Sequence, residues 1–233
     1  MKRFGLLPCA CIWAVVSALT TAAAQTVPDT LAERTQPCVA CHGQEGRATS
    51  EGYFPRIAGK PAGYLFNQLV NFREGRRTNA AMTYLVEHLT DAYLQEIAGY
   101  FAALSLPYPP PQSPAATPDV LRLGETLVHT GDPARRLPAC VQCHGDAMTG
   151  VLPAVPGLLG LPRDYLIAQF GRWKAGDREA AAPDCMADIA ARMSADDIAA
   201  VAAWLASQHV PPDAKPAAAL SQPPSLPCGS GFK

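Results

Sequence analysis

Cys38-Val39-Ala40-Cys41-His42 and Cys140-Val141-Gln142-Cys143-His144 are one five-residue motif written twice, each time followed by glycine (Gly43, Gly145). C-x-x-C-H is the attachment signature of a c-type haem. Two thiols at this spacing each form a thioether to one porphyrin vinyl group. The adjacent histidine is then held under the iron as proximal ligand. A single copy competes with a redox or zinc cysteine pair. Two copies inside a longer repeat point to two covalent haems.

The repeat extends well beyond the motif. Pro55-Arg56-Ile57-Ala58-Gly59 through Tyr64, Gln68, Phe72, Gly75 and Arg77 matches Pro156-Gly157-Leu158-Leu159-Gly160 through Tyr165, Gln169, Trp173, Gly176 and Arg178 at a constant offset of 101. Met82 to Asp91 then matches Met186 to Asp196, and Tyr100 matches Trp204. A fixed internal period means one structural unit used twice. The coarse pattern is helical, with apolar residues at helix period over Ala92–Leu104 and Ile198–Ser207. Tyr64–Arg73 and Tyr165–Lys174 read as helices stopped by Gly75 and Gly176. Asp119–His129 reads as the opening helix of the second unit. Thr90 and Ser194 read as N-caps with acids in the first turn. No convincing alternating strand is visible. The fold class is all-α.

The iron needs a second axial ligand, and a methionine thioether is the usual choice at higher potential. Met82 lies 40 residues after His42 and Met186 lies 42 after His144, at equivalent repeat positions in what read as loops before the last helix. Met148 and Met193 lack equivalents: Met148 is too near His144, and Met193 aligns with Leu89, an apolar position. The metal-ligand set is therefore His42, Met82, His144 and Met186, with Cys38, Cys41, Cys140 and Cys143 as haem attachment points. His88, His129 and His209 do not recur between copies and read as surface or helix-end residues. A ligating histidine needs an acceptor for its other ring N–H, and the carbonyls of Pro55 and Pro156 are candidates. Tyr64, Gln68, Arg77, Tyr165, Gln169 and Arg178 are either haem-propionate donors or interface residues.

Residues 1–24 read as a secretory signal: basic Lys2-Arg3, an apolar stretch, then Ala22-Ala23-Ala24. An uncleaved membrane anchor is the alternative, since Phe4 to Ala24 carries no charge. Without Lys2 and Arg3, a chain of 19 basic and 20 acidic residues has a formal net charge of −3. That balance gives no nucleic-acid footprint. Six of the fourteen residues from Ser105 to Pro118 are proline, so the segment is an extended, semi-rigid linker. Two cysteines remain in an exported chain, Cys185 and Cys228. They either form a disulfide tying down the Pro-rich tail, or Cys185 is a thiolate ligand in sulfur chemistry. The disulfide is the expected outcome, given the oxidising compartment.

At these residues the chain resembles the dihaem cytochrome c4 family, and more broadly class I cytochromes c. The matching elements are both C-x-x-C-H-G motifs, Phe54-Pro55-Arg56-Ile57-Ala58-Gly59, the Tyr64 to Arg77 stretch, and the Met82 and Met186 segments with their final helices. The resemblance covers roughly residues 30–209. It implies two tandem cytochrome c domains related by pseudo-twofold symmetry, His/Met iron in both, and a periplasmic electron carrier. The expected organisation is a signal peptide at 1–24, domains at 25–105 and 119–209, a linker at 106–118 and a tail at 210–233. The tail, the Pro-rich linker and Cys185 depart from the family pattern. Expected partners are redox proteins, a terminal oxidase or a dehydrogenase, with loose membrane association left open and no nucleic acid or small-molecule substrate. Two alternatives stand beside the carrier: a cytochrome subunit of a dehydrogenase resembling flavocytochrome c, and a dihaem sulfur-oxidising enzyme. A catalytic haem needs a vacant or labile ligand position, which the paired methionines argue against.

Overall fold

A computed structural model describes residues 28–212 and 214–231. The signal segment lies outside the described residues. The first half contains α1 (Leu31–Arg34), α2 (Gln36–His42), α3 (Ala62–Arg73), α4 (Ala80–Val86) and α5 (Asp91–Ala103). The second contains α6 (Pro118–His129), α7 (Val141–His144), α8 (Arg163–Ala175), α9 (Cys185–Arg192) and α10 (Ala195–Ser207). One two-stranded hairpin, β1 (Gly150–Val151) with β2 (Val155–Pro156), breaks the all-helical pattern. It is too short to carry a readable alternation, which is why the sequence hides it. Among the described residues the fold is all-α apart from this feature.

Local signals start the helices where the sequence places them. Thr90 caps α5 through its hydroxyl, which accepts from the Tyr93 N–H. Ser194 and Asp197 form a reciprocal capping box at α10, at 3.1 and 2.7 Å. Asp197 also pairs with Arg135 at 2.6 Å, fastening the loop before the second haem motif to α10. Gly176 ends α8 in the left-handed conformation.

Packing is equivalent in the two halves. α3 lies on α5 in the first half, and α8 on α10 in the second. α6 crosses α10 so closely that a Cβ at Gly124 would stand 2.3 Å from the Ala200 carbonyl oxygen. Phe101 and Leu94 fill the first core, and Val128, Val201 and Leu205 the second. Each such side chain contributes about 1.5–3 kcal/mol by leaving water. The linker after α5 is extended and pinned: Arg56 donates to the Leu106 and Pro107 carbonyls, and the Gln112 N–H donates to Ala206. Arg56 also stacks 4.0 Å over the Tyr108 ring.

Candidate haem sites

Each C-x-x-C-H motif ends a short helix on its histidine: α2 contains the whole first motif, while α7 contains the second from Val141 onward with Cys140 as its N-cap. Gly43 follows His42 at φ +75°, and a Cβ there would meet the Ala48 carbonyl oxygen at 2.3 Å. The chain can turn away under the histidine only because this residue has no side chain. His42 Nδ1 lies 2.8 Å from the Pro55 carbonyl oxygen, and His144 Nδ1 lies 2.7 Å from that of Pro156. A carbonyl only accepts, so Nδ1 carries the proton in both rings and Nε2 keeps its lone pair free for a metal. Burial holds both imidazoles below their ordinary pKa, assisted by the nearby charge of Arg77 at His42 and of Lys60 at His144. Neutral imidazole is the ligating form.

Both histidines and all four motif cysteines line one large, predominantly apolar cavity of about 880 Å³ that reaches into both halves. None of the four cysteines is joined to another in a disulfide. Met82 and Met186 line the same cavity. They sit in the first turns of α4 and α9, not in the loops the sequence reading placed them in. Asn79 accepts from the Met82 N–H at 3.0 Å, and Asp184 from the Met186 N–H at 3.1 Å. The two methionines are thus presented by the same capping device. Met148 is a core residue outside the cavity wall, while Met193 is a core residue that also reaches it. His88, His129 and His209 are exposed and do not line the cavity.

Between the halves runs a reciprocal seam. Arg77 donates to Gln68 in its own half at 2.8 Å and to Gln169 in the other at 2.9 Å. Arg178 donates to Gln169 at 2.7 Å and to Gln68 at 3.4 Å. Each guanidinium also stacks on the aromatic ring of its own repeat, Phe72 at 4.6 Å and Trp173 at 3.9 Å. Arg77 and Arg178 face each other as an antiparallel bridge, flanked by backbone bonds from Thr78 to Asp177 and from Glu179 to Arg76. Both arginines are buried, at 7% and 6% exposure. Among the described residues neither has a carboxylate partner, and the Arg77 Nε has no acceptor. Burial, then the like charge of Arg77, lowers the pKa of Arg178. Two buried cations beside an apolar cavity, one with an orphaned donor, fit a flat apolar group that carries carboxylates. Haem with its propionates has that chemistry.

Lys60, not among the candidate residues above, is a further buried cation. Its ammonium, 4% exposed, crosses from the first half to donate to the Gly157 carbonyl at 2.8 Å, next to the residue that orients His144. The available signal was a mismatch in the repeat, Lys60 standing opposite Leu161. Cys185 and Cys228 are disulfide-bonded, with Cα atoms 5.0 Å apart.

No protein-family model matches the chain. Among curated proteins it is 37% identical over 178 residues to the thiosulfate dehydrogenase electron acceptor of Thiomonas intermedia, covering 75% of this chain and 80% of that protein. It is 33% identical over 174 residues to cytochrome c4 of Pseudomonas aeruginosa, covering 74% and 84%. The chain belongs to the dihaem cytochrome c4 family. The reduced cytochrome c4 of Pseudomonas stutzeri superposes with a TM-score of 0.66 at 28% identity, covering 77% of this chain and 97% of that one. The thiosulfate dehydrogenase TsdBA of Marichromatium purpuratum superposes at 0.67 with 33% identity; this chain spans only 39% of it. As a member of this family the protein carries two covalently attached haem c groups and transfers electrons.

Proposed function

We propose that the protein is a periplasmic carrier that passes single electrons between redox protein partners and does not itself transform a substrate. Its domains are residues 25–105 and 119–209, joined by the linker at 106–118. Cys38 and Cys41 attach the first haem, with His42 and Met82 on its iron. Cys140 and Cys143 attach the second, with His144 and Met186. The observation that carries this reading is the matched pair of His and Met residues lining the cavity at equivalent positions, each held by the same kind of hydrogen bond.

Bound haem supplies a one-electron iron couple, and the protein supplies position and electrostatics. The Pro55 and Pro156 carbonyls fix the histidine rings and raise their basicity. Asn79 and Asp184 fix the methionine-bearing turns. Arg77 and Arg178 meet the propionates. The apolar walls exclude water, which favours the less charged, reduced state. Two relatives named as electron acceptors of thiosulfate dehydrogenase support a sulfur-compound dehydrogenase as the donor.

The test is ligand replacement. Oxidised His/Met haem has a weak far-red charge-transfer band. Met82→Ala and Met186→Ala should each remove about half of it and lower the potential of one haem only. Loss of the band in Met148→Ala or Met193→Ala instead would sink the ligand assignment. Turnover of thiosulfate, sulfide or peroxide by the isolated chain would sink the carrier reading.

A further inference from the structure

The tail after α10 has no counterpart in the first half, and it crosses the rim of the second haem site from one side to the other. It first runs beside the hairpin, where Ala217 exchanges backbone hydrogen bonds with Gly150 and Leu152, each at 2.8 Å. Thr149 donates to the Lys215 carbonyl at 2.9 Å. Ser221 then reaches Asp146 at 3.4 Å, and Ser225 reaches Gln142 at 3.2 Å. Gln142 lies between the two haem-attaching cysteines. Three residues later Cys228 is bonded to Cys185, which adjoins Met186. The Gly229 N–H donates to the Pro183 carbonyl at 2.9 Å, and the Ser230 carbonyl accepts from Asn67 of α3 at 2.9 Å. Between these anchors Leu226, Cys228, Ser230 and Gly231 form part of the cavity wall.

Among the described residues, no such segment crosses the equivalent rim of the first half. Ala40 stands where Gln142 does and Ala81 where Cys185 does, and both are exposed. The linker after α5 leaves toward Arg56 and Ala206 and does not cross this rim. Tyr53, at 66% exposure, lines the cavity on this side.

We propose that residues 221–231 are a disulfide-anchored cover over the edge of the second haem, so that protein partners exchange electrons with the carrier at its first half. The segment spans from the attachment side, at Gln142, to the methionine side, at Cys185. Any protein approaching the second haem along that rim meets the tail first. A short, weak redox encounter needs a small apolar contact around an accessible haem edge, and among the described residues no segment crosses the first half's rim as the tail crosses the second's. The proposal rests on the dihaem carrier reading above.

The test uses the full-length oxidised holoprotein. Its haem methyl resonances are assigned to each half by the Met82→Ala and Met186→Ala variants. A neutral, soluble gadolinium chelate is added to broaden resonances close to solvent. The first haem's methyl signals should broaden and the second's should persist. Cys228→Ser, or deletion of residues 221–233, should broaden the second set to match the first. Equal broadening of both sets in the intact chain would overturn the cover. So would a second set unchanged in both released forms. If the shortened chain fails to retain haem, the full-length Cys228→Ser protein decides the matter. Faulty ligation shows in the far-red band and a faulty cover in the broadening, so the two readings fail separately.

Discussion

Arg77 and Arg178 stand opposite one another in antiparallel register, and each donates to the other's glutamine. Neither half completes its own set of contacts: Gln68 and Gln169 each accept from both arginines. Substituting one arginine therefore disturbs both halves at once. Arg77→Ala and Arg178→Ala should each cost about 1–3 kcal/mol of holoprotein stability, because each strips a charged donor from a buried acceptor. The double variant should cost more than the two losses added together, since each single variant leaves both glutamines one donor and only the double variant orphans them. Lysine should not restore either, lacking the planar fork that bridges two amides and stacks on a ring. Denaturant unfolding measures all three expectations.

Lys60 should give the molecule a stability that rises with pH. Burial, with the nearby charge of Arg56, lowers its pKa from 10.5 to about 7. Below about pH 7 it is charged in the folded and the unfolded chain, and the folded state bears the full cost of a buried cation. Between 7 and 10.5 it is neutral when folded but protonated when unfolded. The unfolded state then binds more protons, and stability increases with pH. Lys60→Met should flatten this rise in melting temperatures measured from pH 6 to 10.

The same substitution should separate the two haems electrochemically. A cation behind the Pro156–Gly157 segment opposes positive charge on the second iron. Removing it at pH 6 should lower the potential of the second haem and leave the first nearly unchanged. Spectroelectrochemical titration reads both values. Equal shifts of the two potentials would show that Lys60 does not act on the second site.

Thiol alkylation of the unfolded, unreduced protein should label neither Cys185 nor Cys228. Reducing the bond opens a loop with a sequence separation of 43. That should cost about 2–4 kcal/mol if the bond acts mainly on the unfolded chain.

Gly124→Val should destabilise the second half by forcing two helices apart. Any side chain there collides with the Ala200 backbone, so α6 must move off α10. Overpacking of this kind costs about 1–3 kcal/mol. Ser194→Ala, which removes half of a capping box, should cost about 1 kcal/mol. Thermal unfolding of the two variants should rank them in that order.

Much of this arrangement was legible in the chain. The C-x-x-C-H strings are local, and so are the caps at Thr90 and Ser194, because a cap bonds a neighbour three residues away. The repeat turned two ordinary methionines into a matched pair. Placing those methionines in loops misread a visible signal: Asn79 and Asp184 each stand two or three residues ahead, where an N-cap belongs. What stayed hidden depends on contacts between distant residues. Lys60 meets its acceptor 97 residues away and Asn67 meets Ser230 163 residues away. No local period reports such encounters. The hairpin at Gly150–Pro156 pairs only two residues on each side, and its outer edge is bonded by Ala217 of the distant tail.

The arginine–glutamine seam also carries a history. Its four side chains are two residue types read twice, so two separate copies of one repeat would meet across a twofold axis by the same reciprocal contacts. Joining the copies in a single chain makes such an axis only approximate and releases each copy from having to match the other. Lys60 facing Leu161, and a tail on one copy alone, are what that release permits: a symmetric pair turned into a molecule with a front and a back.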